Sequence, residues 1–293
     1  MLKGELLNPK THLLSLFMAF ACAMFTGETL MAENDTLKII NWNVLYGFNH
    51  HQSIEEASHW LKKQTPDIVA FQELNGISEN ELGEHAGSWG HAYAVTHKEN
   101  GFPVGLTSNE PIEVLAREAE GYHHGFLHCK TYRIHFFVVH FWPGKSNDAE
   151  EILKRARSLQ KQNEQVVILG DFNGCSRKDE AFLIANAKKR ERDYTFVDMV
   201  EAQGFIDLVH KHDSQAKISC PSSITIPKWS KDMDELQLKR YRIDFIFADP
   251  SLAENSVAGT ISLAKEIETI SDHYPVLVEL SIPDTAIQPS EHP

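Results

Sequence analysis

Cysteine is scarce in this chain of 293 residues: Cys22, Cys129, Cys175 and Cys220 are all there is, and they form no thiolate cluster. That disfavours a closed structural zinc site. No glycine-rich phosphate loop is present, which disfavours a nucleotide-triphosphate motor. Positive charge is also short, with 28 Lys and Arg against 41 Asp and Glu and a net charge of −13. Such a surface repels polyanions, and without a basic stripe it argues against tight nonspecific nucleic-acid binding, though not against a nuclease that recruits cations. No long Pro/Gly/Ser linker, charge block or internal repeat divides the body, so residues 33–293 read as a single domain. With 42% hydrophobic and 10% aromatic content, that domain can bury a substantial core.

Only one long apolar run occurs, Leu13 to Phe25, preceded by Lys3 and Lys10 and broken at Thr26-Gly27. It is too short to span a bilayer comfortably, and Leu30-Met31-Ala32 before Glu33 offers a small-residue cleavage site. Residues 1–32 therefore read as a signal peptide, and the expected product is periplasmic or secreted with no stable membrane insertion after cleavage. The leader carries Lys3, Lys10, Glu5 and Glu28, two of each sign, so its removal leaves the charge at −13. Cys129, Cys175 and Cys220 remain, and in an oxidising compartment two could pair.

What is present is a repeated grammar of strands that end in polar residues. Lys38 to Val44 alternates as a strand and carries Asn43 at its end. Ser53 and Glu56 form a capping-box signal for a helix with Ile54, Ala57, Trp60 and Leu61 on one face, stopped by Pro66. Ile68–Phe71 is a short buried strand with Glu73 just beyond. Ile134–Val139 ends at His140, Ser146 or Asn147 caps a helix bearing Ile152, Leu153, Ala156 and Leu159, and Val166–Leu169 leads into Gly170-Asp171-Phe172-Asn173. Ile243–Phe247 contains Asp244, and the last strand, Pro275–Leu280, follows Ser271-Asp272-His273. Strand ends are where α/β proteins assemble sites, because the sheet holds rigid what the loops aim.

The polar set suits phosphate-ester hydrolysis, which needs a cation against the phosphoryl charge, a base for water, and donors for the oxyanion and leaving group. Asn43, Glu73, Asp171, Asn173, Asp244 and Asp272 are hard oxygen donors appropriate to Mg²⁺, Mn²⁺ or Ca²⁺, and His140 and His273 are the titratable nitrogens. Taken singly, each has a plainer reading: Asp171 and Asn173 as turn formers, His140 as a satisfied strand-end residue, Glu73 as a surface carboxylate.

Five motifs in order carry more weight than any one of them. Asn41-Trp42-Asn43-Val44, Pro66 to Glu73, Gly170 to Asn173, Arg242 to Ile246, and Ser271 to Val276 resemble the endonuclease/exonuclease/phosphatase superfamily across nearly the whole mature chain. The resemblance implies an α/β four-layered sandwich: two packed, mainly antiparallel β-sheets flanked by helices, with one catalytic cleft. It implies a divalent cation, Mg²⁺ first, held by Asn43, Glu73 and Asp272. Asp171 and Asn173 would orient the nucleophile and bind the phosphoryl group, and His273 would face the scissile phosphate. His140 looks like the second histidine of members of the pancreatic deoxyribonuclease and neutral sphingomyelinase type. Abasic-site endonucleases carry tyrosine there and an acidic residue where this chain has Leu45, which disfavours that subgroup. Two carboxylate–imidazole pairs are further implied, Glu73 with His273 and Asp244 with His140, as is a Cys175–Cys220 disulfide of the deoxyribonuclease-like kind.

The expected activity is divalent-metal-dependent hydrolysis of phosphate esters, by a phosphodiesterase or phosphatase. The rivals are a deoxyribonuclease-like endonuclease, a sphingomyelinase-like phospholipase and, least favoured because no central motif residue is missing, a noncatalytic binding module. A second histidine cluster, His123-His124-Gly125-Phe126-Leu127-His128-Cys129, reads as a substrate-lining segment rather than a metal site, with His124, Phe126 and His128 on one strand face. Trp89, Trp142 and Trp229 are each core or rim aromatics by default, with substrate contact as the alternative.

Overall fold

The structure is a computed structural model that describes residues 36–187 and 192–281. The leader expected at residues 1–32 lies outside the described residues. No helix among those described is long and apolar enough to cross a membrane.

Among the described residues, twelve strands are shared equally between two six-stranded sheets. They are β1 (Thr36–Asn43), β2 (Ile68–Gln72), β3 (Tyr93–Thr96), β4 (Gly105–Ser108), β5 (Glu113–Glu118), β6 (Phe126–Thr131), β7 (Ile134–His140), β8 (Gln165–Asp171), β9 (Ile206–Asp207), β10 (Asp244–Ala248), β11 (Ser256–Ile261) and β12 (Val276–Ser281). The first sheet runs β11-β12-β1-β2-β4-β3 and the second β5-β6-β7-β8-β10-β9. Each holds one parallel pair, β1 with β2 and β7 with β8, and every other pairing is antiparallel. Parallel neighbours need a crossover, and the expected helices supply it: α1 (Ile54–Gln64) links β1 to β2, and α3 (Asn147–Gln160) links β7 to β8. Both six-stranded sheets are therefore mixed but mainly antiparallel.

Period-two alternation separates the layers. In the second sheet Val138, Val167, Leu169 and Ile246 face the first sheet and share its core. Their neighbours Phe137, Val166, Ile168, Phe245 and Phe247 face outward onto Ile152, Leu153 and Ala156 of α3 and onto Phe196, Val197 and Val200 of a helix spanning Thr195–Glu201. Burial on both faces explains why β7 and β8 read as almost unbroken apolar runs. In β1 both asparagines are buried, and Asn41 Oδ1 accepts a hydrogen bond from Gln72 Nε2 at 2.8 Å across the parallel pair.

This topology assembles the site. The carboxyl ends of β1, β2, β7 and β8 lie at the same rim as the amino ends of β10 and β12, so the polar residues that terminate six strands meet there. One of those ends depends on glycine. Gly170 has φ 152°, and a Cβ built there would lie 1.9 Å from the Val139 carbonyl oxygen on the adjacent parallel strand.

Some local expectations are overturned. Ser53 does sit at the N-cap of α1, but its hydroxyl donates to the Thr269 carbonyl rather than closing a box with Glu56. The capping box is instead made at α2 (Glu79–Gly87) by Ser78 and Glu81. Ser146 caps α3 only by position, its hydroxyl donating to Glu150. No disulfide joins Cys175 to Cys220; both lie buried in one small cluster with Leu183, Tyr241 and Ile243.

Gly170→Ala should cost about 3 kcal/mol or more, because backbone rather than a flexible side chain opposes the added methyl. Urea unfolding of the two proteins checks this, and an unchanged midpoint would show that the strands separate freely.

Candidate active site

Asp171 is the hub. Its Oδ2 accepts from Asn43 Nδ2 at 3.1 Å, its Oδ1 accepts from the Asn173 backbone N–H at 2.8 Å, and its Oδ2 lies 3.6 Å from His140 Nε2 and 3.8 Å from His273 Nε2. Strand register places it, since Asp171 is opposite His140 on one side and Asp244 on the other. Asn43 also donates to Glu73 Oε1 at 3.2 Å, so one amide ties together carboxylates from the two sheets. All eight residues singled out from the sequence therefore converge at this rim: Asn43, Glu73, His140, Asp171, Asn173, Asp244, Asp272 and His273.

Their pairing differs from the expected one. His273 Nδ1 is bonded to Asp244 Oδ2 at 2.9 Å, not to Glu73. His140 faces Asp171, not Asp244, and its Nδ1 is buried without a partner. Glu73 instead accepts the Tyr46 backbone N–H at 3.1 Å through Oε2. The swap follows from register: Asp244 is held beside the loop before β12 by Ser219, whose hydroxyl donates to Asp244 Oδ2 at 2.6 Å while its carbonyl accepts the Tyr274 N–H. Asn173 is likewise engaged, its amide Nδ2 donating to the Phe141 carbonyl at 3.0 Å.

The two imidazoles are electrostatic opposites. Burial, followed by the repulsion of His124 and His273, pushes His140 well below its ordinary value, so it is neutral. Burial acts in the same direction on His273 but is outweighed by Asp244 and, with it, Cys220, Asp272 and Asp171, so that group is raised and carries a proton. Asp171 is pushed up to about 7, by burial first and then by the Asp244 charge. Burial and the negative charge of Asp272 raise Glu73, and burial raises Asp272.

Three carboxyls raised together, Asp171 and Asp272 buried and Glu73 half-buried, describe a rim short of positive charge, and Asp244 Oδ1 is buried with no hydrogen-bond donor. Asp171 and Asp244 converge with His273 closely enough to share an ion, and Asp272 does so with Cys220 and His273. The hard-oxygen donors thus fit a divalent cation, which would offset what the protein leaves uncompensated.

Some features were not legible beforehand. The chain leaves Asn43 through a left-handed turn: Leu45 to His51 all have positive φ, between 48° and 74°, and only Gly47 among them is glycine. Each other residue carries a strain of about 1–2 kcal/mol. Hydrogen bonds from the Leu45 N–H to Asn43 Oδ1, the Tyr46 N–H to Glu73 Oε2 and the Gly47 N–H to the Glu73 carbonyl hold the turn against the site. Glu73 and Asn173 are themselves left-handed, at φ 59° and 46°. Around the mouth runs a band of rings. Tyr46 stacks on His50 and meets Phe102 edge-on, Phe102 meets His140 and His124, and His124 meets Trp142.

His124 thus packs against His140, and its Nδ1 is bonded to the His140 carbonyl. His128 does not join it but stacks on Phe137 and pairs with His135. Trp89 is core; Trp142 and Trp229 are 46% and 47% exposed, and only Trp142 belongs to the ring band.

A two-sheet sandwich whose shared rim gathers buried carboxylates and imidazoles is the architecture of a hydrolytic phosphoesterase. The chain belongs to the Endonuclease/Exonuclease/phosphatase family, whose pattern it matches over residues 40–273. A search of curated proteins found no match. Among solved structures, an AP endonuclease from Archaeoglobus fulgidus is similar with a TM-score of 0.62 and 22% identity, over 84% of this chain and 100% of that one. A 3′ phosphatase, NExo, from Neisseria bound to product DNA hairpin has a TM-score of 0.63 and 16% identity over the same shares. The 3′-5′ exonuclease NExo from Neisseria meningitidis has a TM-score of 0.62 and 17% identity, again over 84% and 100%. At these identities the likeness to each is one of fold.

Asp244→Asn removes the largest influence holding a proton on His273, so in chelator the His273 titration should move to lower pH. A raised imidazole contributes stability that is fully present below its unfolded value of about 6.5 and is lost as pH rises through the folded value. The stability gap between wild type and Asp244→Asn should therefore narrow as pH climbs above about 6.5 through the folded value of His273. Histidine NMR titration with denaturant midpoints across that range is the check; a gap that widens would reverse the assignment.

Proposed function

We propose that this protein is an exported, Mg²⁺-dependent phosphodiesterase or phosphatase whose site is the rim centred on Asp171. The observation that supports it most is the convergence on one carboxylate of both imidazoles and of donors from both sheets. Asn43, Glu73 and Asp272 would hold the cation. When bound it supplies charge neutralisation at the phosphoryl oxygens and acidifies water.

The rest of the work falls to protein groups. Asp171, pushed up to about 7, accepts a proton from the attacking water; a base near the working pH combines the right protonation state with useful proton affinity. Asn173 holds the base in place through its N–H, and Asn43 aligns it with Glu73. His273, protonated and oriented by Asp244, stabilises developing charge on the phosphoryl or leaving oxygen. Neutral His140 presents an imidazole to the same phosphate from the opposite side of Asp171. Export rests on the leader at residues 1–32.

Hydrolysis of aryl phosphodiesters and monoesters, DNA, sphingomyelin, nucleotides and inositol phosphates by the purified protein, with and without chelator, tests the reading. Activity should vanish on chelation and return with Mg²⁺. Glu73→Gln should remove most of it and also abolish the rise in melting temperature that Mg²⁺ gives by binding the folded state. Undiminished turnover in excess chelator would end the proposal.

The histidine variants His140→Ala and His273→Ala should each slow single-turnover hydrolysis by about a hundredfold or more. Their thermal melts should change far less. A double variant scarcely worse than either single would mark one coupled unit. Two folded single variants with near-normal rates would refute the assignment of both residues.

A further inference from the structure

Cys220 is a buried thiol at the site that the hydrolytic scheme does not use. Its sulfur, an Asp272 carboxylate oxygen and a His273 ring nitrogen lie within 4.8 Å of one another, and all three residues are buried. The segment around Cys220 is fastened to the loop that carries the other two. Tyr274 N–H donates to the Ser219 carbonyl at 2.7 Å, Ser222 N–H to the Asp272 carbonyl at 2.8 Å, and the Ser222 hydroxyl to the Ser271 carbonyl at 2.6 Å. On its other side Cys220 exchanges backbone hydrogen bonds with Tyr241. The three ligand atoms are thus presented by two crosslinked strips of backbone, not by a mobile loop.

Thiolate, imidazole and carboxylate are the donor types of zinc, and around a tetrahedral zinc with bonds of about 2.0–2.3 Å ligand atoms stand roughly 3.5 Å apart. Small side-chain rotations close the present spacing. Asp244 bonded to the His273 ring supplies the outer carboxylate that orients a ligating imidazole.

We propose that Cys220, Asp272 and His273 form an inhibitory zinc site overlapping the catalytic centre. Zn²⁺ bound there occupies Asp272, a proposed ligand of the activating cation, and His273, the proposed charge stabiliser, so the enzyme cannot turn over. The thiol proton and one proton of the His273 imidazolium leave to solvent as sulfur and the ring nitrogen bind zinc. Sulfur sets the selectivity: a soft thiolate strengthens binding of zinc and offers little to Mg²⁺, so micromolar Zn²⁺ inhibits in the presence of millimolar Mg²⁺. The inhibitory consequence rests on the hydrolytic reading above, whereas the binding site does not.

Two measurements on the full protein separate them. Co²⁺ takes zinc's tetrahedral positions and reports sulfur ligation by a thiolate charge-transfer absorption. Wild type should show that band and lose it on adding Zn²⁺, and Cys220→Ala should not show it. In hydrolysis of an aryl phosphodiester with millimolar Mg²⁺, Cys220→Ala should need at least about tenfold more Zn²⁺ for half-inhibition, since losing even a partner that only orients a ligand costs about that much. A saturated cobalt complex of wild type without the sulfur band overturns the site and needs no variant to fold. So does a band that persists in Cys220→Ala, or equal zinc sensitivity of the two proteins. If none of the phosphoesters is hydrolysed, the hydrolytic reading fails while the cobalt spectrum still decides the zinc site.

Discussion

The site depends on crowding four carboxylates, Asp171, Asp244 and Asp272 buried and Glu73 half-buried, where two sheets meet. Like charges in a region of low dielectric repel strongly, and a buried carboxylate without compensation shifts its proton equilibrium instead of remaining charged. Asp171, Glu73 and Asp272 all respond in that direction. The hydrogen bonds from Asn43 to Glu73 and to Asp171 hold the sheets' strand ends in register against this repulsion. A divalent cation completes the balance, which ties metal binding, stability and chemistry to the same few atoms.

Within that field the two histidines are differentiated by their neighbours. His140 is crowded by other imidazoles and by Phe102, without a carboxylate on its Nδ1, whereas His273 has Asp244 bonded to its ring and further anionic groups around it. One neutral and one cationic imidazole thus flank Asp171. Buried charge also recurs behind the site. Arg242 sits between Asp179 and Asp207 at 2.7 Å from each, just before the start of β10. Such a network is costly to break and so anchors the strand that carries Asp244.

The strained turn from Leu45 to His51 is explained by what it reaches. Its backbone N–H groups cap Asn43 and Glu73, and Phe48 is buried between Trp42 and Phe71, so hydrogen bonds and packing offset the unfavourable dihedrals. The same turn sets Tyr46 and His50 at the edge of the ring band that leads to His140.

Much was legible in the chain itself. Alternation over Lys38–Val44 and the apolar runs of β7 and β8 marked strands, Pro66 ended α1, and motifs at six strand ends marked the rim, because period and residue type are local properties. The eight polar residues could be grouped for the same reason: each terminates or begins a strand. Which partner each would take was not legible. His273 chose Asp244 over Glu73, Ser53 chose Thr269 over Glu56, Cys220 came to lie beside Asp272 and His273, and a run of ordinary residues turned left-handed. Those outcomes depend on distances of a few ångströms between segments far apart in sequence, and on burial that only the packed sheets create. The sequence by itself determined the six strands that carry the polar residues; tertiary packing added the other strands and decided who bonds to whom and which imidazole keeps its proton, because hydrogen bonding and desolvation act through space rather than along the chain.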